Sequence, residues 1–396
     1  MDVREIKIPG GGANQAGQRD HNERLIMSLI QRHGALPGIE LARATGLSAQ
    51  TVSIILRRLE GDGLLVRGES QKGRVGKPSV PMALNRDGAF SIGLKIGRRT
   101  TDLVLTDITG ARRGRSSLTY SHPRPGKIMD FLEAGIGELT ASLPENGAAR
   151  LAGLGIGMPF QLWDWHELIS APKDEMAEWR DFDFARAIAE FSSLPVWVEN
   201  DATTACRAEH VFGRGRERLD YAYFFIGSFI GGGVVLNHSV YAGHHGNAGS
   251  FGSLPIGGTA GALIDAASIY LLETSLLEAK KSTATLWGSV QDWSDYEPEL
   301  ELWLTRTAEA LAIAVVAVCA VIDFECVVID GAFPSDVRDR LVTRVAAALP
   351  KADTRGVILP EIAAGTVGHD ARAIGASTLP FNAKFFLNTN PIRGGS

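Results

Sequence analysis

Within eight residues of this 396-residue chain, Gln50, Thr51, Ser53 and Arg57 supply hydrogen-bond donors of the kind that reach base edges and phosphates. Arg74 and Lys77 follow in the glycine-rich stretch QKGRVGKP, as cations suited to phosphate contact. Far downstream, Asn200 and Asp201 close the run VWVEND. A carboxylate at a strand end facing a cleft either deprotonates a ligand hydroxyl or accepts its hydrogen bond. Asp201 also suits the N-cap of the helix that begins at Ala202. Gly231 to Gly233 either let backbone N–H groups approach a phosphate or relieve a tight turn. Trp163, Trp165 and Trp179 crowd one segment, where indole rings stack on the apolar face of a sugar or fill a core. His238, His244 and His245 sit in or near a glycine-rich loop and read as exposed or hydrogen-bonded residues, not as a metal site.

The elements that must hold these groups follow from periodicity. Leu25, Ile26, Leu29 and Ile30 recur at helical spacing over Asn22 to His33, and Gly34 is placed to end that helix. GIELARATG gives a second helix stopped by Gly46, and Ser48 caps a third over Ala49 to Glu60 with Val52, Ile55, Leu56 and Leu59 inward. LLVRGES and SVPMALN then read as two strands joined by the basic loop. Three helices and a hairpin are the pattern of a winged helix-turn-helix, whose third helix enters the major groove. From about Phe90 the pattern becomes α/β. The strands are SIGLKIG, TTDLVLTDITG, VWVEND, YAYFFIG, GGGVVLN and CVVID; the helices span Lys127 to Leu143, Phe184 to Ser192, Ala202 to Phe212, Thr259 to Ala279 and Leu300 to Ile322.

Composition agrees with a packed protein of at least two domains: 45% hydrophobic and 21% charged residues. Three cysteines without a CxxC pair support neither a disulfide framework nor a thiolate zinc site. The apolar stretch Leu311 to Ile322 is about half the roughly 20 residues of a membrane span, so a soluble cytoplasmic protein is expected. The net charge of −5 is unevenly spread. Residues 1–88 hold 13 Lys and Arg against 9 Asp and Glu, and the remainder 27 against 36, a basic front on an acidic body.

Several separate segments resemble the ROK family, which groups repressors, uncharacterised reading frames and sugar kinases on the actin-like ATPase fold. The resemblance is carried by the front helices and hairpin, SIGLKIGRRTTDLVLTDITG, GLGIGMP at 153–159, ENDA at 199–202, GSFIGGGVVLNHSVYAGHHGNAG at 227–249, VVIDGAF at 327–333 and ARAIGA at 371–376. It implies an α/β, actin-like, two-lobed ROK domain behind an N-terminal winged helix-turn-helix. The expected division is a flexible arm over 1–17, the DNA-binding domain over 18–87, and a first lobe over 88–198 completed by a C-terminal helix 371–396. A second lobe over 199–370 would carry the ligand cleft and dimerisation.

The resemblance also assigns roles. In the kinases the Asp of ENDA is the general base and the adjacent Asn holds the sugar, so Asp201 is the vestigial base position and Asn200 a ligand contact. An acidic residue of the first phosphate hairpin is matched here by Lys95, which cannot coordinate Mg²⁺ but could draw a phosphate or pair with an acid. Ser250 and Ser253 stand where kinases carry a sugar-reading Glu and a zinc-binding His, the zinc loop is replaced by LPIGGTAGALID, and Ile264 stands for a sugar-binding Glu. No metal and no cofactor are therefore expected. The expected ligand-binding set is Asn200, Asp201, Ser250, Ser253 and Trp179, and the expected DNA-binding set Gln50, Thr51, Ser53, Arg57, Arg74 and Lys77. The expected function is a DNA-binding repressor on double-stranded operator DNA, a homodimer or tetramer, controlled by a sugar, polyol or sugar derivative. The rival readings are a sugar kinase with an appended DNA-binding domain and a ligand-independent regulator.

Overall fold

The computed structural model of the protein describes residues 15–69, 80–257, 261–288 and 292–387, with side chains from residue 18 onward. Arg74, Lys77 and the tail beyond residue 387 lie outside those residues, as does most of the expected N-terminal arm. The chain divides into two compact units, one reaching Gly88 and joined by Asn382–Leu387, the other spanning Ala89–Phe381.

In the first unit, helix α1 (Gln15–His33) is followed by strand β1 (Leu36–Pro37), α2 (Gly38–Thr45), α3 (Ala49–Gly61), β2 (Leu65–Arg67) and β3 (Pro81–Leu84). Helix α1 starts seven residues before the expected Asn22. Its first turns are polar, so no apolar period marks them, while Ala16, Gln15, Gln18 and Arg19 are all good helix formers. Gly46, in the left-handed region at φ 71°, closes α2, and Ser48 caps α3 by accepting the Thr51 N–H at 3.1 Å. Ile26, Ile30, Leu41, Val52, Leu59 and Leu65 form the core. The small sheet has the order β1-β3-β2, all antiparallel, with Leu65 opposite Leu84. The chain's other end completes the unit: the Arg24 guanidinium donates to the Ala383 carbonyl at 2.9 Å, the Leu387 N–H donates to Ser28 Oγ at 2.9 Å, and Phe386 is buried.

The larger unit repeats one plan twice. Its first lobe holds β4 (Phe90–Ile96), β5 (Thr100–Asp107), β6 (Arg112–Thr119), α4 (Pro125–Ala141), β7 (Leu151–Met158), α5 (Lys173–Ala177), α6 (Phe184–Ala189) and β8 (Val196–Asn200). The second holds α7 (Asp201–Phe212), β9 (Tyr221–Ile226), β10 (Ile230–Leu236), β11 (Ser239–Tyr241), α8 (Ile264–Ala267), α9 (Ile269–Glu278), α10 (Ala284–Trp287), α11 (Glu299–Val321), β12 (Cys326–Gly331), α12 (Ser335–Ala348), β13 (Glu361–Ala364) and α13 (Ala371–Lys384). Each sheet has five strands, a three-stranded antiparallel meander extended by two parallel strands: β6-β5-β4-β7-β8 and β11-β10-β9-β12-β13. The central strands β4, β9 and β12 are buried along their whole length, whereas β8 at the edge of its sheet is half-buried and β13 begins on exposed Glu361.

Of the helix expected over Thr259 to Ala279, Thr259 and Ala260 lie outside the described residues, and the remainder holds two helices, α8 and α9. Ser268 breaks it in an extended conformation, its hydroxyl donating to the Ile264 carbonyl and accepting the Ile230 N–H at 3.1 Å. Helix α11 is long and apolar enough to pass for a membrane span by length and composition. It instead fills the second lobe's core with Leu300, Trp303, Leu304, Leu311 and Val315, and its N-terminal Glu301 is ion-paired to Arg340 and Arg344. The first part of α13 lies on the first lobe's sheet, where a Cβ at Gly93 or Gly155 would strike the carbonyls of Ala373 and Ala376. Its last turn already belongs to the first unit.

Candidate functional site

Two surfaces carry the chemistry. On α3, inward Val52, Ile55 and Leu59 leave Gln50, Ser53 and Arg57 exposed on the opposite face. Arg57 donates from Nε to the Ser53 carbonyl at 3.2 Å, which points its guanidinium along the helix. Thr51 is less free than its type suggests, since its hydroxyl bonds Ser48 Oγ at 2.8 Å within the cap. Neighbouring Arg58 is paired with Glu23 at 2.9 Å. Sequence reading passed over Ile54, which is 54% exposed on this face. An exposed isoleucine between polar neighbours suits a thymine methyl group, and its departure from the inward apolar period is the signal that marks it.

The second surface is a cleft of about 330 Å³ in the larger unit, between the ends of β4, β8 and β10. Asn200 and Asp201 sit at the junction of β8 and α7. The N-cap is Asn200, not Asp201: its Oδ1 accepts the N–H groups of Ala202 and Thr203 at 3.0 and 3.1 Å. Its amide nitrogen is thereby left as the group to donate to a ligand. Asp201 is first in the helix, where an acid is favoured by the exposed N–H groups, and its Oδ2 accepts from Arg372 at 3.1 Å.

Ser250 and Ser253 line the same cleft and are both exposed. Gly249 before them has φ +79°, and a Cβ there would lie 2.6 Å from the Gly233 Cα, so only glycine lets this loop close on β10. The run Gly231 to Gly233 lies inside β10 and has a packing cause. A Cβ at Gly231 would press on Ala202 and one at Gly233 on Cys206, so the glycines let α7 settle on the strand.

Trp179 is not in the cleft, and its expected stacking role is corrected. It is 2% exposed, donates to the Pro123 carbonyl at 3.1 Å, and packs against Phe182 and Phe184. The ring that lines the cleft is Trp165, its centroid 4.7 Å from that of Phe229. Lys95 does not face the cleft either. It is buried across the β4–β5 hairpin, donating to Thr100 Oγ1 at 2.7 Å and to Asp102 at 3.2 Å. Burial, then the charge of Arg372, brings its ammonium down to about 8 despite Asp102. Burial opposes ionisation of Asp102, yet Lys95, Ser117 and Arg115 together hold its carboxyl well below the ordinary range.

Further cleft residues escaped the sequence reading. Arg98, Gln161, Asn247 and Arg372 all line it. Gln161 carries a positive φ of 51°, unusual for a residue with a side chain. Arg98 donates to Glu273 of α9 at 2.8 Å, and Glu273 also accepts from Arg99 and from Trp287 Nε1. This carboxylate ties the β4–β5 turn of the first lobe to the second lobe.

Comparison with known proteins bears on both surfaces. Residues 91–266 match the ROK family, and residues 19–66 match a winged helix-turn-helix DNA-binding family. The chain is 28% identical to an uncharacterised protein of Sinorhizobium fredii over 95% of this chain and 94% of that one. It is 25% identical to the xylose repressor of Bacillus subtilis, over 62% of each chain. It is 24% identical to the N-acetylglucosamine repressor of Escherichia coli O157:H7, over 63% of this chain and 61% of that one. Among solved structures, a ROK family transcriptional regulator homologous to the Escherichia coli MLC protein superposes with a TM-score of 0.64 at 19% identity, covering 92% of this chain and 96% of that one. A ROK family glucokinase from Streptomyces griseus, in complex with glucose and AMPPNP, gives 0.54 at 19% identity, covering 74% and 99%.

Proposed function

Since this chain carries a ROK family domain behind an N-terminal winged helix-turn-helix, we propose that it is a DNA-binding transcriptional repressor whose effector is a small carbohydrate-like molecule held in the cleft. The observation that carries this reading is the coexistence of a donor-bearing reading helix with a polar, aromatic-walled cleft on one chain. Relatives named as sugar repressors support it. Gln50, Ser53, Ile54 and Arg57 read the major groove. A homodimer would place two such helices on half-sites about 34 Å apart or a multiple of that. Asn200, Asp201, Ser250 and Ser253 contact effector hydroxyls, with Trp165 against the ring. The larger unit then works as a sensor, not a kinase: Asp201 is held by Arg372, and Lys95 of the first hairpin is spent on Asp102.

Effector binding and operator binding are coupled, so each changes the other's affinity by the same factor. Fluorescence anisotropy with operator DNA, titrated against a sugar panel and then reversed by titrating sugar in the presence of operator, tests this. A sugar that binds equally well with and without operator would sink the mechanism. The likeness to a glucokinase and the presence of Asp201 at the base position favour one other reading, a sugar kinase. That reading requires ADP release dependent on both ATP and sugar, abolished in Asp201→Asn.

A further inference from the structure

The cleft has a neighbour. A second cavity of about 330 Å³ adjoins it in the larger unit, and the two have Pro159, Phe160, Gln161 and Asn200 in common. The rest of its wall includes Trp163 and the turn over residues 242–246 that follows β11. Ligand pockets run from about 300 to 1,000 Å³, so each cavity alone suits a small ligand or one part of a larger one.

The local chain divides its aromatic rings between the two. Leu162–Trp165 is a turn of 3-10 helix with three residues per turn, so Trp163 and Trp165, two residues apart, project to different sides. Trp165 lines the cleft and Trp163 the second cavity. Trp165 Nε1 donates to the Phe160 carbonyl at 3.1 Å, and Phe160, 39% exposed, lines both. An aromatic surface therefore continues from one cavity into the other. The second cavity has one carboxylate on its wall, Glu199, which is buried and held through both oxygens by Arg207 at 2.6 and 2.7 Å. With that charge neutralised, Gln161, His245 and the Asn200 amide nitrogen are the polar side-chain groups left for a ligand. Aromatic walls with a few hydrogen-bonding groups fit a neutral sugar ring, its apolar face on the rings and its hydroxyls on the polar groups.

We propose that the effector is a disaccharide, with one ring in the cleft against Trp165 and the second in the adjoining cavity against Trp163 and Phe160. The inference rests on the reading of the cleft as an effector site and extends it by one ring. Asn200, common to both cavities, donates at the glycosidic link, and Gln161 and His245 meet hydroxyls of the second ring. Trp163 and His245 thereby gain a role that a monosaccharide effector does not give them.

The test is titration calorimetry on the full-length protein with matched pairs: xylose against xylobiose, glucose against cellobiose and maltose, and N-acetylglucosamine against its β1,4-linked dimer. At least one disaccharide should bind about tenfold or more tightly than its own monosaccharide. Trp163→Ala should remove that gain while leaving the monosaccharide within about twofold, and Trp163→Phe should keep most of it. Ala242→Phe, which fills the second cavity from another wall, should remove the gain without touching either tryptophan. Monosaccharides that bind as tightly as their disaccharides, or a gain unchanged in both Trp163→Ala and Ala242→Phe, overturn the inference and leave the sensor reading standing. Phenyl β-glucoside binding as tightly as cellobiose overturns the assignment of the second ring as a sugar. If no pair binds at millimolar concentration the inference falls, and if operator affinity also ignores every sugar the sensor reading falls with it.

Discussion

Replacing Gly375 with alanine tests whether α13 is wedged against α7 as the structure places it. A Cβ at residue 375 would fall well inside contact distance of the Thr204 carbonyl and 3.1 Å from its Cα. These are backbone atoms of a buried helix, so no side chain can swing away. Either α13 or α7 must shift by on the order of 1 Å or more, and overpacking of this kind costs about 1–3 kcal/mol or more. The same shift would pull on Arg372, one turn earlier on α13, which donates to Asp201 and whose carbonyl accepts from Thr204 Oγ1 at 3.1 Å. Urea unfolding should therefore show a loss of at least about 2 kcal/mol. Gly137 on α4 provides the contrast. It is exposed with nothing within 4 Å of its would-be Cβ, so Gly137→Ala should stabilise by about 0.5–1 kcal/mol. A Gly375→Ala protein as stable as wild type would refute the backbone-to-backbone packing of α13.

Arg57→Ala should weaken operator binding by about 1–3 kcal/mol and relax sequence preference, while Ile54→Ala should cost about fivefold at a thymine-bearing position, both read by anisotropy on operator variants. Glu273→Ala leaves Arg98, Arg99 and the Trp287 N–H without their shared acceptor, and thermal unfolding should show a loss of about 3 kcal/mol. Asp330 faces Glu209 of α7, Tyr223 of β9 and Arg338 of α12, and burial followed by the Glu209 charge pushes its carboxyl up to about 6 from 3.8. Between those values the unfolded carboxyl has released its proton and the folded one keeps it, so stability falls as pH rises through the window. The stability of wild type relative to Asp330→Asn should drop by up to about 3 kcal/mol between roughly pH 4 and 6.5, and a flat difference would contradict the assignment.

The reading helix was legible because everything that builds it is local: Val52, Ile55 and Leu59 repeat at helical spacing and Ser48 caps the start. Strands β8, β9 and β12 were legible from the runs VWVEND, YAYFFIG and CVVID, whereas β7, with glycine at every second position from Gly153 to Gly157, and the four-residue β13 were not read as strands. The helix break at Ser268 was not legible, since it depends on a hydrogen bond to Ile230, 38 residues away. The three tryptophans of one segment are alike in sequence and separate only in three dimensions, where Trp165 reaches the cleft and Trp179 the core. The partner of Lys95 was within reach: a tight hairpin puts Asp102 directly across from it, as the β4–β5 register does. Arg372 had no such sign, because its partner Asp201 is 171 residues distant.

The docking of Asn382–Leu387 into the first unit makes that unit discontinuous in sequence. In synthesis α1 to β3 precede the larger unit, but Phe386 and the acceptor for Arg24 follow only after it. The winged helix-turn-helix unit is thus finished after the larger unit has been synthesised, so a chain that stalls midway exposes an incomplete first unit, and a fragment ending at Gly88 lacks the buried side chain of Phe386.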